Sequence, residues 1–78
     1  MYLITFHSNF DANMFNKKMS SYGKLTRKPV PRELSSSCGT CFLLNPNDTF
    51  SLYIFKDVNF EAVYEIKDEK YIKIKEKE

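Results

Sequence analysis

Apolar and polar residues alternate from Tyr2 to Phe6, so a strand here has Tyr2, Ile4 and Phe6 on one face. Leu3, Thr5 and His7 fall on the other. The period then changes. Ala12, Phe15, Met19 and Tyr22 recur at spacings of three and four, which predicts one apolar face of a helix. Ser8 is placed to cap that helix, with Asp11 three residues on as a short version of a capping box. Gly23 is placed to stop it. Lys24 to Val30 reads as a second strand, and Pro29 and Pro31 confine it to a sheet edge because proline cannot donate to a ladder. Pro31 to Gly39 is a loop of Pro, Ser and Gly.

Cys41 to Leu44 is a short apolar run expected to be a buried strand. Asn45-Pro46-Asn47-Asp48 predicts a helix start, with Asn45 as cap and Pro46 at the first helical position. Phe50, Tyr53, Ile54 and Val58 would be its apolar stripe. Phe60, Ala62, Tyr64 and Ile66 alternate in a last main strand, Phe60 to Ile66. The order strand, helix, strand, strand, helix, strand predicts an α+β ferredoxin-like βαββαβ sandwich, with antiparallel sheet order 4-1-3-2. Residues 1–66 would form this thiol-presenting domain. Residues 67–78 would be a charged tail or an additional C-terminal edge strand, whose lysines would protect the edge.

With 78 residues, the chain has room for one domain and no deep cleft between domains. Its 42% hydrophobic and 28% charged residues argue against disorder. A net charge of +2, with both signs interleaved, gives no strong nucleic-acid footprint. No apolar run approaches the roughly 20 residues that span a membrane. The opening Met1 to Phe6 lacks the basic and long apolar regions of a secretory leader, so a cytoplasmic location is expected.

Two cysteines, Cys38 and Cys41, carry the candidate chemistry. The expected topology ends the first strand where the third begins, which brings His7, Ser8 and the first helix's N-terminus to the end of the sheet that carries both thiols. Arg32 leaves the second strand at this end. Cys38 is then the candidate nucleophile, His7 its proton acceptor, and Arg32, Ser36, Ser37 and the helix start the groups that stabilise an anion. Gly39 would let the backbone turn tightly and approach a ligand. Cys41 opens an apolar strand, where a core role competes with a second reactive thiol. A Cys-x-x-Cys at the start of a strand is a poor match to thioredoxin chemistry, where the motif opens a helix. Cys38, Cys41 and His7 offer three zinc ligands at most, one short of a structural site, so no metal and no cofactor are expected. The face showing Leu3, Thr5 and His7 lacks the stacking aromatics of RNA-binding sheets and would instead serve a homodimer.

The run Val30-Pro31-Arg32-Glu33-Leu34-Ser35-Ser36-Ser37-Cys38-Gly39 resembles the signature of the selenium/sulfur carrier-like family, Pro-Arg-Glu-hydrophobic-Ser-Ser-x-Cys-Gly before a short strand. The short opening strand, Pro46 to Asp48 and the closing Val63-Tyr64-Glu65-Ile66 are similar too, so the resemblance covers roughly residues 1–66. Cys41, where a small apolar residue is usual, the polar first helix and the long tail depart from the pattern. The resemblance implies a carrier or thiol-relay protein rather than a stand-alone enzyme, accepting sulfur or selenium on Cys38. Its partner would be a sulfur- or selenium-transfer protein, either a desulfurase or a TusA-like domain. Two other classes stay open: a thiol-disulfide redox domain using Cys38 and Cys41, and a non-enzymatic regulatory or interaction module.

Overall fold

The computed structural model describes residues 1–34 and 36–76. The chain runs through β1 (Tyr2–Thr5), α1 (Asn9–Met19), a 3-10 turn (Ser20–Tyr22), β2 (Gly23–Pro29), β3 (Thr40–Pro46), a 3-10 helix (Leu52–Asp57), β4 (Ala62–Lys67) and β5 (Lys70–Glu76). The strands make one open antiparallel sheet in the order β2-β3-β1-β4-β5. The protein is thus a small α+β domain with a five-stranded sheet and one α-helix among the described residues.

The helix forms where the periodicity places it. Ser8, in extended conformation, accepts from the Asp11 N–H at 3.2 Å, and Ala12, Phe15 and Met19 turn inward. Burying a side chain such as Phe15 contributes about 1.5–3 kcal/mol, and it stacks on Phe55 with centroids 6.3 Å apart and tilts against Phe6 at 5.1 Å. Gly23 does more than end the helical segment. It begins β2 opposite Pro46, and a Cβ there would collide with the backbone of Asn45 and Pro46.

Two expectations about the fold are corrected. The sheet differs from the four-stranded order 4-1-3-2 in carrying β5 outside β4, the additional edge strand that is one of the two alternatives for the tail. Asp68 and Glu69, both at positive φ, form the two-residue turn that folds Lys70–Glu76 back as a hairpin strand. The second α-helix of the ferredoxin-like pattern is replaced by a 3-10 helix. Asn45 and Pro46 do not start it but finish β3, with Pro46 paired to Gly23. Asn47 is drawn away from helix formation. Its N–H donates to Tyr22 O at 2.9 Å, its side-chain amide to Ser21 O at 2.9 Å, and its Oδ1 accepts from Thr49. The cap that forms is Ser51, and the buried residue of the short helix is Phe55, while Tyr53 is 76% exposed.

The face expected to be open is also covered. Leu3 and Thr5 are fully buried there, with Cys41, Ala62 and Tyr64, under Val30, Leu34, Leu43, Ile66 and Tyr71. A homodimer through a bare sheet face containing Leu3 and Thr5 therefore has no exposed Leu3 or Thr5 to use. The larger core lies on the helix side, where Ile4, Phe6, Phe42, Leu44 and Val63 meet α1, Phe55, Val58 and Phe60. Phe60 thus parts from Ala62 and Tyr64, with which it alternates in sequence, and joins the opposite cluster.

Candidate functional site: the Cys38 loop

The residues from Val30 to Gly39 leave the edge strand β2 and return as β3. The loop is closed at its neck, where the Val30 N–H donates to Gly39 O at 3.1 Å. Gly39 sits at φ +74°, a conformation that costs other L-residues about 1–2 kcal/mol. A Cβ on it would meet nothing within 4 Å. Within the described structure its role is this backbone conformation, and the space beside it is open.

Each part of the loop has a separate anchor. Pro31 begins a tight turn in which the Leu34 N–H donates to Pro31 O at 3.0 Å. That turn exposes Arg32 and Glu33 and drops Leu34 onto the cluster around Leu3 and Cys41. Ser36 Oγ donates to Phe6 O at 3.1 Å, at the end of β1. Ser37 binds Glu61 twice, through its N–H to Oε1 at 3.2 Å and its hydroxyl to Oε2 at 3.0 Å. Ser35 lies outside the described residues.

Glu61 was not among the residues singled out from sequence. No motif surrounds it, but a signal existed. With β1 beside β4 and Thr5 opposite Ala62, the residue before Ala62 falls at the His7 end of the sheet. The Glu61 N–H donates to Thr5 O at 2.7 Å, and its carboxylate lies 3.6 Å from His7 Nδ1. Burial acts to raise its pKa, yet the Ser37 N–H, the Ser37 and Ser36 hydroxyls and His7 together hold the carboxyl below the ordinary glutamate value.

The two thiols part company. Cys38 is half-buried against the helix-side core, and its Sγ donates to Thr40 O at 3.4 Å. Cys41 is fully buried in the opposite cluster, with Sγ 3.7 Å from Pro29 O. They pack into the two separate clusters, Cys38 with the helix-side core and Cys41 with Leu3, Ala62 and Tyr64. Burial pushes the Cys41 thiol up to about 11 against the lowering effect of Lys28. Both cysteines are free.

The structure therefore gathers His7, Ser36, Ser37, Cys38 and Gly39 at one end of the sheet. His7 contacts Glu61, and the described hydrogen bonds of Ser36 and Ser37 go to Phe6 and Glu61, not to a thiol. Arg32 is exposed in its turn, with no hydrogen bond or ion pair among the described residues. Among the described residues no group of three or more His, Cys, Asp or Glu has a metal-holding arrangement, and no helix is long and apolar enough to cross a membrane.

The chain is a small α+β domain with Cys38 half-buried in a fastened loop and Cys41 sealed in the core. The family model described as "Putative Se/S carrier protein-like" matches residues 1–65, and the chain belongs to that family. The match ends at Glu65, within β4. No curated protein and no solved structure matches.

Proposed function

We propose that the protein carries sulfur or selenium on Cys38 and hands it to a partner. The observation that carries this reading is the separation of the thiols, with Cys38 on the polar loop and Cys41 buried across the sheet. In the sulfur reaction, the Cys38 thiolate attacks the outer sulfur of a donor persulfide. A new S–S bond forms to Cys38, the donor's S–S bond breaks, and the donor leaves as a thiolate. No external oxidant or reductant is needed. His7 would relay the proton, and exposed Arg32 would meet the partner or the anionic cargo. The family membership supports the carrier role, and the partner would be a desulfurase or a TusA-like transfer domain in the cytoplasm, where thiols stay reduced.

The ferredoxin-like frame belongs to this proposal as well. It is supported by β4, β1, β3 and β2 lying side by side, with α1 between β1 and β2 in the chain, residues 1–66 forming the carrier unit and β5 an appended edge. The redox reading is disfavoured by the same observation that favours the carrier. A Cys38–Cys41 disulfide would have to bring together thiols packed into clusters on opposite faces. In a module whose cysteines are incidental, Cys38→Ala would leave partner binding intact.

The test is mass spectrometry after incubation with a cysteine desulfurase and cysteine. One added sulfur on Cys38, retained in Cys41→Ser, is expected. An unmodified Cys38 beside a demonstrably active desulfurase would refute the carrier reading. A reversible intramolecular disulfide with a defined potential would replace it with the redox reading.

A further inference from the structure

The donors of Ser37, the residue before Cys38, are already occupied by an anion of the protein's own. Ser37 offers its N–H and its hydroxyl to the two oxygens of Glu61, and His7 lies on the same carboxylate. The Ser36 hydroxyl, which donates to Phe6 O, also acts on the Glu61 carboxyl. A bound oxyanion next to Cys38 would want these same groups, since paired N–H and O–H donors with a neighbouring imidazole make an anion site. Glu61 is tied in place through its backbone as well, by the 2.7 Å bond to Thr5 O. An incoming oxyanion would have to displace a tethered carboxylate and then remain beside its negative charge.

We infer that Glu61 is a specificity residue that fills the anion site of the Cys38 loop and turns away oxyanion donors, so that Cys38 takes its cargo from a protein persulfide. This deepens the carrier reading and rests on it for the identity of the cargo, but the charge filter itself does not. Two donor chemistries balance equally well on paper. With thiosulfate, the Cys38 thiolate attacks the outer sulfur and sulfite leaves with the bonding pair. With a protein persulfide, the leaving group is a cysteine thiolate. The first brings an oxyanion with two negative charges to Ser37 and Glu61. The second brings only a sulfur chain.

The test compares wild-type protein, Glu61→Gln and Glu61→Ala with reagents of different charge. Glu61→Gln keeps the shape and one oxygen acceptor for Ser37 while removing the charge and the second acceptor, which guards against a variant that fails to fold. Alkylation of Cys38 is measured with neutral iodoacetamide and with anionic iodoacetate, and circular dichroism checks the fold. A general loosening of the loop accelerates both reagents alike. Loss of the charge accelerates iodoacetate selectively. The expected rise in the iodoacetate-to-iodoacetamide rate ratio is about two- to five-fold at low salt, the size of one unit charge acting across several ångströms of partly hydrated protein. It should shrink as added salt screens the charge. Thiosulfate is expected to load Cys38 faster in both variants than in wild type. An unchanged ratio in both folded variants overturns the proposal, as does wild-type loading from thiosulfate as fast as from a protein persulfide. A ratio that rises while a protein persulfide leaves Cys38 bare in wild type and Glu61→Gln alike removes the carrier reading and keeps the charge filter.

Discussion

If Cys41 is sealed in the cluster with Leu3, Ala62 and Tyr64, its chemistry is suppressed twice. Burial raises the thiol from the ordinary 9.0 to about 11. Below pH 9 the reactive thiolate is therefore scarcer than in the unfolded chain by about two powers of ten. The residue is also fully covered, so a reagent reaches it only when the structure opens. The perturbation is a pulse of iodoacetamide at about pH 8, where an ordinary cysteine is already partly ionised. Peptide mass mapping follows each cysteine separately, with urea-unfolded protein as the reference. Cys41 is expected to react at least about 100-fold more slowly in the folded protein than in urea, while Cys38 labels without unfolding. The same shift has a consequence for stability. The folded thiol keeps its proton to higher pH than the unfolded one, so its contribution is fully present below about pH 9 and is lost as pH rises toward 11. The loss amounts to about 1–3 kcal/mol. Denaturant midpoints of wild type and Cys41→Ala, compared across that window, isolate it from the titration of lysines. Labelling of folded Cys41 within about ten-fold of the unfolded rate, or parallel pH profiles for the two proteins, would refute the burial argument.

Glu61 acts at the other end of the scale. Its folded pKa is depressed, so the stability it contributes is present above the unfolded glutamate value and is lost as pH falls through the folded one; Glu61→Gln is expected to flatten the acid limb of a melting-temperature profile. The two glycines should rank by what surrounds them. Gly39→Ala is expected to cost about 1–2 kcal/mol for its backbone conformation alone, and Gly23→Ala distinctly more, because its Cβ meets the backbone of β3; equal denaturant midpoints would contradict this. Leu34→Ala removes the half-buried plug of the loop. It should cost about 1–2 kcal/mol, below the range for a fully buried leucine, and speed Cys38 alkylation, with an unchanged alkylation rate showing that Leu34 does not hold the loop.

Much of the frame is readable from local pattern. Ser8, Ala12, Phe15, Met19 and Gly23 specify α1 because capping and a 3.6-residue period are properties of a few consecutive residues. The loop from Pro31 to Gly39 and the edge position of β2 follow from the same kind of reasoning. The helix start at Asn45 and Pro46 misleads, because the local signal is outweighed by pairing with Gly23 and by the bonds from Asn47 to Ser21 and Tyr22, residues more than twenty positions away in the chain.

The sequence by itself determined which residues can do chemistry here: two cysteines, one histidine and a serine-rich turn held by proline and glycine. Only the tertiary structure decided how they are used. Phe60 and Ala62 alternate in one run yet enter opposite cores, and the fate of Cys38 and Cys41 depends on which strand and loop cover each face. Glu61 becomes part of the site because β4 begins beside the end of β1, some 56 residues apart in the chain from Thr5. A hydrogen bond or a buried thiol depends on distances between segments, and those distances exist only once the sheet has closed its register.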